Sequence, residues 1–202
     1  MGTMDKIICV GKNYLKHARE LGDAVPEEPV YFIKPPSSLC EATDGGVVAF
    51  PARGEVHHEL ELVFRFREVG SGFEFSEVTL GLDLTARDMQ AHLKKAGLPW
   101  EKAKVFKNSA IIGPWIPVRQ MDGVLSETFS LFVNGELRQR GMGRDMRFGP
   151  EFLLADLPKW FPVKTGDLLF TGTPEGVGPL KDGDQVRITG LGLDLSFACE
   201  VQ

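Results

Sequence analysis

Glu59 and Glu61 stand one residue apart in the run His57-His58-Glu59-Leu60-Glu61-Leu62-Val63-Phe64. In an extended strand alternate side chains share a face, so the two carboxylates project together, roughly 6.6 Å apart along the backbone, while Leu60, Leu62, Phe64 and Phe66 point the other way. Like charges that close destabilise each other unless a proton or a cation neutralises them. Oxygen ligands suit a hard divalent ion such as Mg2+. A third acid, Asp83, closes the apolar run Leu80-Gly81-Leu82, where the end of a second strand would abut the first. Spacing alone leaves two readings open, a metal site and the polar face of a solvated strand. The density of leucine and phenylalanine around the three acids favours the first. His57 and His58 read as supports rather than ligands, with one of them facing the core.

His17 and Glu20 lie three residues apart on a short helical stretch and so share a face. By themselves they read as a surface ion pair; placed over a metal they become a base assembly in which Glu20 orients His17 to take a proton from water. Lys104, between Ala103 and Val105, is either an edge-strand gatekeeper or a cation in the pocket. Arg87 and Gln90 fall together near the start of a second helix, close to Asp83. The loop Thr171-Gly172-Thr173-Pro174-Glu175-Gly176-Val177-Gly178 lacks the Gly-Lys-Ser/Thr ending of a phosphate loop. It reads either as a plain connector or as a tight turn whose backbone N–H groups and threonine hydroxyls hold a small carboxylate.

The elements that must position these residues are mostly short strands. Lys6 to Val10, Val30 to Lys34, Val47 to Pro51, a carboxylate strand over 56–67 and Thr79 to Leu84 carry β patterns. Asn13 is expected to cap a helix running to Leu21 and stopped by Gly22, and Thr85, with Asp88 three residues on, to cap a second helix ended by Gly97. From Ala103 the signals are β again, through Lys104-Val105-Phe106, Ile111-Ile112 and a hairpin over Phe129 to Arg138 turned by Asn134-Gly135. A helix is expected around Gly149 to Phe161, and strands at Asp167 to Phe170, Gln185 to Ile188 and Leu195 to Val201. Lys164-Thr165-Gly166-Asp167 and Lys181-Asp182-Gly183-Asp184 echo each other without establishing a repeat. Many strands with few helices predict a mixed, mostly antiparallel β-rich (α+β) fold with short peripheral helices.

At 202 residues and 43% apolar content the chain suits a single domain over 1–202. A net charge of −5, with Lys and Arg scattered, argues against nucleic acid and anionic membrane as partners and for a small molecule. No apolar run approaches the roughly 20 residues that span a bilayer, and no basic-then-apolar leader opens the chain. Cys9, Cys40 and Cys199 are odd in number and set among apolar residues, as reduced core cysteines of a cytoplasmic protein are.

Taken in order, these segments resemble the fumarylacetoacetate hydrolase family, in particular its short acylpyruvate-hydrolase branch. The resemblance rests on Val10-Gly11-Lys12-Asn13-Tyr14 with His17 and Glu20, on Pro29 to Pro35, on His57-His58-Glu59-Leu60-Glu61, and on Leu82-Asp83-Leu84-Thr85-Ala86-Arg87-Asp88 with Gln90. It continues through Gly97-Leu98-Pro99-Trp100 with Lys104, Val133-Asn134-Gly135-Glu136 and Phe170-Thr171-Gly172-Thr173-Pro174 to Pro179. It implies the family's rolled mixed β-sheet, a homodimer, and roles for the residues. Glu59, Glu61 and Asp83 look like ligands of Mg2+ or Mn2+, and His17 with Glu20 like a water-activating dyad on a lid. Arg87, Gln90 and Lys104 match substrate-facing positions, and Gly172 with Thr173 matches a carboxylate-holding loop. The chain departs from the family pattern at Val105, Lys107 and the segment Gly141 to Pro150.

The chemistry the resemblance implies is hydrolysis of the C3–C4 bond of acylpyruvates such as acetylpyruvate or fumarylpyruvate through a metal-stabilised pyruvate enolate, with decarboxylation of oxaloacetate open to the same site. An isomerase or hydratase acting on 2-hydroxydienedioates of aromatic catabolism is the alternative within enzymes, and a metal-binding module without catalysis the alternative outside them.

Overall fold

The largest sheet runs, strand by strand, through Val30–Lys34, Ile7–Gly11, Leu168–Phe170, Leu60–Val69, Gly72–Asp83, Ala110–Ile112 and Leu39–Glu41, with Ile116–Pro117 pairing on the fifth of these. The computed structural model describes residues 4–20, 22 and 26–202. Pairing is mixed: Ile7–Gly11 is parallel to Leu168–Phe170 and Leu39–Glu41 to Ala110–Ile112, and the other neighbours are antiparallel. The alternation read from the sequence sets its two faces. Leu60, Leu62, Phe64 and Phe66 join Phe75, Val78, Leu80 and Leu82 in the main core, while Val63 packs on the opposite face with Ile7, Cys9, Ile112 and Phe170. With both faces apolar, the sheet is held from either side.

A second sheet orders Glu136–Met142, Thr128–Val133, Gln185–Gly190, Leu193–Val201 and Gly46–Phe50. Its Phe129, Leu131, Val186, Ile188 and Phe197 close the main core. The hairpin turn has Asn134 at φ 53° and Gly135 at φ 81°, the left-handed pair that a two-residue turn of this twist requires. The two Lys-x-Gly-Asp turns adopt one geometry. Asp167 accepts from the Lys164 N–H and Asp184 from the Lys181 N–H, at 2.9 and 2.7 Å.

A small third sheet of Gly178–Pro179, Val56–His58 and Thr85–Ala86 divides what the sequence reads as one carboxylate strand. Val56–His58 belongs to this sheet and Leu60–Val69 to the largest, so Glu59 occupies the corner between them. The corner is tied by the Asp83 N–H donating to the Glu59 carbonyl at 2.9 Å and the Leu60 N–H donating to Gln139 Oε1 at 3.0 Å.

Several local expectations yield to this arrangement. Lys104 ends a helical turn, Glu101–Lys104, instead of opening a strand, because the Trp100 carbonyl accepts the N–H groups of Ala103 and Lys104. Thr85 is a strand residue, and helix Arg87–Ala96 starts after Ala86 with no side-chain cap; Gly97 ends it in the left-handed conformation, as expected. Asn13 turns its side-chain oxygen away from helix Leu15–Glu20, accepting from the Phe148 N–H instead of capping it. The expected end of that helix at Leu21 lies outside the described residues. The helix expected from Gly149 to Phe161 is Pro150–Asp156 followed by a 3-10 turn at Leu157–Lys159, and helix Met121–Ser126 has no counterpart in the sequence reading. The three cysteines are free, Cys9 and Cys199 buried and Cys40 partly so. Among the described residues no helix is long and apolar enough to cross a membrane.

Asn13 serves the fold elsewhere. Fully buried, it donates to the carbonyls of Thr171 (2.8 Å) and Phe148 (3.0 Å) and accepts from the Phe148 N–H (2.9 Å), joining three distant segments. Asn13→Ala is expected to cost about 2–4 kcal/mol in urea unfolding, since it strands buried partners. Asn13→Asp should cost at least as much, because it turns an oxygen toward two carbonyls.

Candidate active site

Glu59, Glu61 and Asp83 converge where the small sheet meets the large one, each at most 5% exposed. Glu59 stands at the corner, Glu61 two residues into its strand, and Asp83 at the end of the neighbouring antiparallel strand, where Leu82 pairs with Leu60. Cations surround them. Arg87 Nη2 donates to Glu59 Oε1 at 2.5 Å, and Lys104 Nζ donates to Glu59 Oε2 (2.8 Å), Asp83 Oδ2 (2.5 Å) and Thr85 Oγ1 (2.7 Å). Lys34, fully buried, places Nζ 2.6 Å from Asp83 Oδ1 but spends its hydrogen bonds on the carbonyls of Ser109 (2.6 Å) and Leu84 (3.2 Å). Glu61 Oε2 accepts the Gly172 N–H at 2.6 Å.

The acids differ in consequence. Burial pushes Glu59 up, yet Lys104 and Arg87 outweigh it and hold the carboxyl well below the usual range. Burial raises Glu61 well above that range, and Asp83 and Glu59 add to the rise. Lys104 is held above the usual lysine range, because Asp83 and Glu59 outweigh the effect of its own burial. One candidate ligand atom from each acid lies within 4.8 Å of the others, and Asp83 Oδ1 is buried with no hydrogen bond. An all-oxygen donor set in which Asp83 Oδ1 has only the ion pair with Lys34 fits Mg2+ or Mn2+.

Helix Leu15–Glu20 brings His17 to the same cavity, which Arg87, Gln90, Lys104 and Thr173 also line and which Phe32 and Trp100 wall with apolar surface. His17 is buried, and its Nδ1 lies 3.2 Å from Glu20 Oε2. Glu20 in turn accepts the Gly176 N–H at 3.1 and 3.2 Å, and Lys16 pairs with Glu175, so the helix is held against the 171–178 loop. Position 176 admits only glycine: φ is +93°, and a Cβ would lie 2.1 Å from the Arg138 carbonyl. Arg87 Nη1 donates to Gln90 Oε1 at 2.6 Å and its Nε to His57 Nδ1 at 3.4 Å. His57 thus stands behind Arg87, and His58 is the histidine that faces the core.

The loop departs from the sequence reading in detail. Gly172 gives its N–H to Glu61, and Thr173 gives its hydroxyl proton to the Leu60 carbonyl at 2.9 Å. Both donors assigned to a substrate carboxylate are therefore used within the protein. Two residues of the site escape the sequence reading altogether. Lys34 could have been found as a charge ending an apolar strand before Pro35-Pro36; Gln139, a glutamine in an alternating strand, carries no such signal.

The family pattern described as fumarylacetoacetate (FAA) hydrolase C-terminal matches residues 6–195. The chain belongs to the fumarylacetoacetate hydrolase family, with its mixed, curled sheet and few short helices. It is 44% identical over 200 residues to the oxaloacetate tautomerase of Escherichia coli, covering 92% of this chain and 88% of that one. The mitochondrial oxaloacetate tautomerase of Homo sapiens is 40% identical over 204 residues, covering 96% of this chain and 91% of its own. The crystal structure of fumarylpyruvate hydrolase from Pseudomonas aeruginosa in complex with Mn2+ and pyruvate superposes with a TM-score of 0.90 at 34% identity, covering 98% of this chain and 91% of that chain.

Burial pushes His58 down to about 4 from an ordinary 6.5, although Gln139 Oε1 accepts from its Nδ1 at 2.8 Å. The unfolded chain takes up this proton at higher pH than the folded one. The stability His58 contributes is complete above pH 6.5 and is lost as pH falls toward 4, a change of about 3 kcal/mol. Between those limits His58→Asn is expected to flatten the stability profile by about one proton, measured by urea unfolding against pH.

Proposed function

We propose that the protein is a divalent-cation-dependent enzyme that interconverts the enol and keto forms of oxaloacetate or a similar short 2-oxo diacid. The observation that carries this reading is the joint presence, on one cavity, of the buried acid trio, fixed positive charge from Lys104 and Arg87, and the His17–Glu20 pair. Identity to the two oxaloacetate tautomerases across nearly the whole chain supports the same assignment.

Glu59, Glu61 and Asp83 would hold Mg2+ or Mn2+, with Gly172 and Lys34 fixing the orientation of Glu61 and Asp83. A divalent ion there supplies stabilisation of negative charge on the substrate's C2 oxygen. The slow event in keto–enol exchange is proton transfer at carbon, so the base is needed at C3, while the oxygen's proton exchanges rapidly with water. His17 is the group for that transfer. Glu20 occupies its Nδ1 side, which leaves Nε2 to take the proton from C3 in one direction and return it in the other. Lys104 is held protonated by Asp83 and Glu59, so it acts as fixed charge toward the anionic substrate rather than as an acid. Arg87, braced by Gln90, adds a second charge for the far carboxylate.

Cleavage of acylpyruvates, with decarboxylation of oxaloacetate, is the second reading, favoured by the structural likeness to fumarylpyruvate hydrolase. It uses the same charges: in hydrolysis His17 deprotonates the attacking water instead of carbon, whereas decarboxylation needs no water, because CO2 departs and leaves the enolate.

The absorbance of enol-oxaloacetate is expected to decay faster with protein and Mg2+ or Mn2+ and to return to the buffer rate with EDTA. Pyruvate release from acetylpyruvate without accelerated enol decay would replace tautomerisation by hydrolysis. His17→Ala should lower the rate by roughly 10²–10⁴-fold while leaving divalent-ion affinity unchanged in calorimetry. Glu61→Gln should lose ion binding and activity together, and retained ion binding would remove Glu61 from the ligand set.

A further inference from the structure

Gln139 is 1% exposed, and its amide makes four hydrogen bonds whose directions are fixed. Oε1 accepts from the Leu60 N–H (3.0 Å) and from His58 Nδ1 (2.8 Å); Nε2 donates to Thr173 Oγ1 (2.8 Å) and to the Pro174 carbonyl (2.9 Å). A backbone N–H only donates and a carbonyl only accepts, so the amide has one possible orientation. Both of its hydrogens are then assigned, and Thr173 Oγ1 must accept one of them. The threonine's own proton goes to the Leu60 carbonyl at 2.9 Å. Thr173 lines the cavity beside Glu59, Glu61 and His17, and with its proton and one acceptor position committed its oxygen keeps one lone pair.

We propose that Gln139 is a positioning residue that fixes Thr173 as a hydrogen-bond acceptor toward the cavity, so that the site selects a ligand carrying a hydroxyl there over one carrying only acceptor oxygens. For a 2-oxo acid the hydroxyl-bearing form is the enol; this assignment rests on the 2-oxo acid reading above. A carbonyl or carboxylate oxygen placed against the same lone pair is repelled, which makes the discrimination one of charge distribution rather than of size.

The test is calorimetric binding of L-malate, which carries a hydroxyl at C2, and of succinate, which does not, to the Mg2+-loaded protein. Thr173→Val is expected to weaken malate by roughly tenfold, the worth of one hydrogen bond, and to leave succinate within about twofold. Thr173→Ser should restore malate binding. Gln139→Met should shift malate in the same direction as Thr173→Val with succinate unchanged. Thermal midpoints identify any variant that fails to fold; if the variants do, the parent protein carries the test, since it is expected to bind malate roughly tenfold more tightly than succinate, and equal affinity overturns the proposal. Equal weakening of both ligands by Thr173→Val would return Thr173 to a carboxylate-holding role and overturn the proposal. So would no change in either, or no binding of malate to the parent protein. Because the readout is binding, selectivity for malate that survives in a protein without enol-decay activity leaves this inference standing and removes only the proposed reaction.

Discussion

Three carboxylates held together out of water impose the condition that the rest of the structure answers. Isolated buried charge of that density is too costly to fold around, and each acid therefore has a cation or a backbone N–H brought to it from elsewhere in the chain. Lys34 arrives from one strand, Lys104 from a helical turn, Arg87 from the start of a longer helix, and Gly172 from the loop after a further strand. Those contacts reach across the largest and the small sheet. The site is thus also a junction of the fold, and what fixes the geometry of the acids also fixes the relation between the sheets.

The three acids were legible in the sequence because their placement breaks a pattern. Glu59 and Glu61 stand out where alternation calls for apolar side chains, and Asp83 where an apolar strand ends. The alternation itself assigned Leu60, Leu62, Phe64 and Phe66 to the correct face. What was not legible depends on tertiary demand. Asn13 and Thr85 have the chemistry of helix caps, yet both are drawn into longer-range bonds, Asn13 to Phe148 and Thr171, Thr85 to Lys104. A local preference worth about 1 kcal/mol yields to several buried partners. The division at Glu59 was hidden because the segments on either side are both good strands, and only the company each keeps distinguishes them. Gln139 was invisible for a related reason: its four partners come from segments that nothing in the sequence places together.

The loop from Thr171 to Gly178 shows how much of a site's specificity lies in protons already assigned. Sequence places two threonine hydroxyls and several N–H groups in a tight turn and suggests a nest for an anion. Thr171 and Thr173 both give their hydroxyl protons to carbonyls of the carboxylate strand, at Leu62 and Leu60, and Gly172 gives its N–H to Glu61. The loop is knitted to the strand that carries Glu61.

Lys34 carries one further consequence. Its ammonium is anchored by two backbone carbonyls, so it belongs to the framework, not to the changing contents of the cavity. With Glu61 ionised, the three acids are balanced by Lys34, Lys104 and Arg87. A doubly charged ion held there, as proposed above, would not merely fill a neutral site; it would turn the cavity into an attractive well for a dianion. Reciprocity requires the dianion to tighten the ion by the same factor. On the proposed reading the ion and the organic dianion would bind as a cooperative pair.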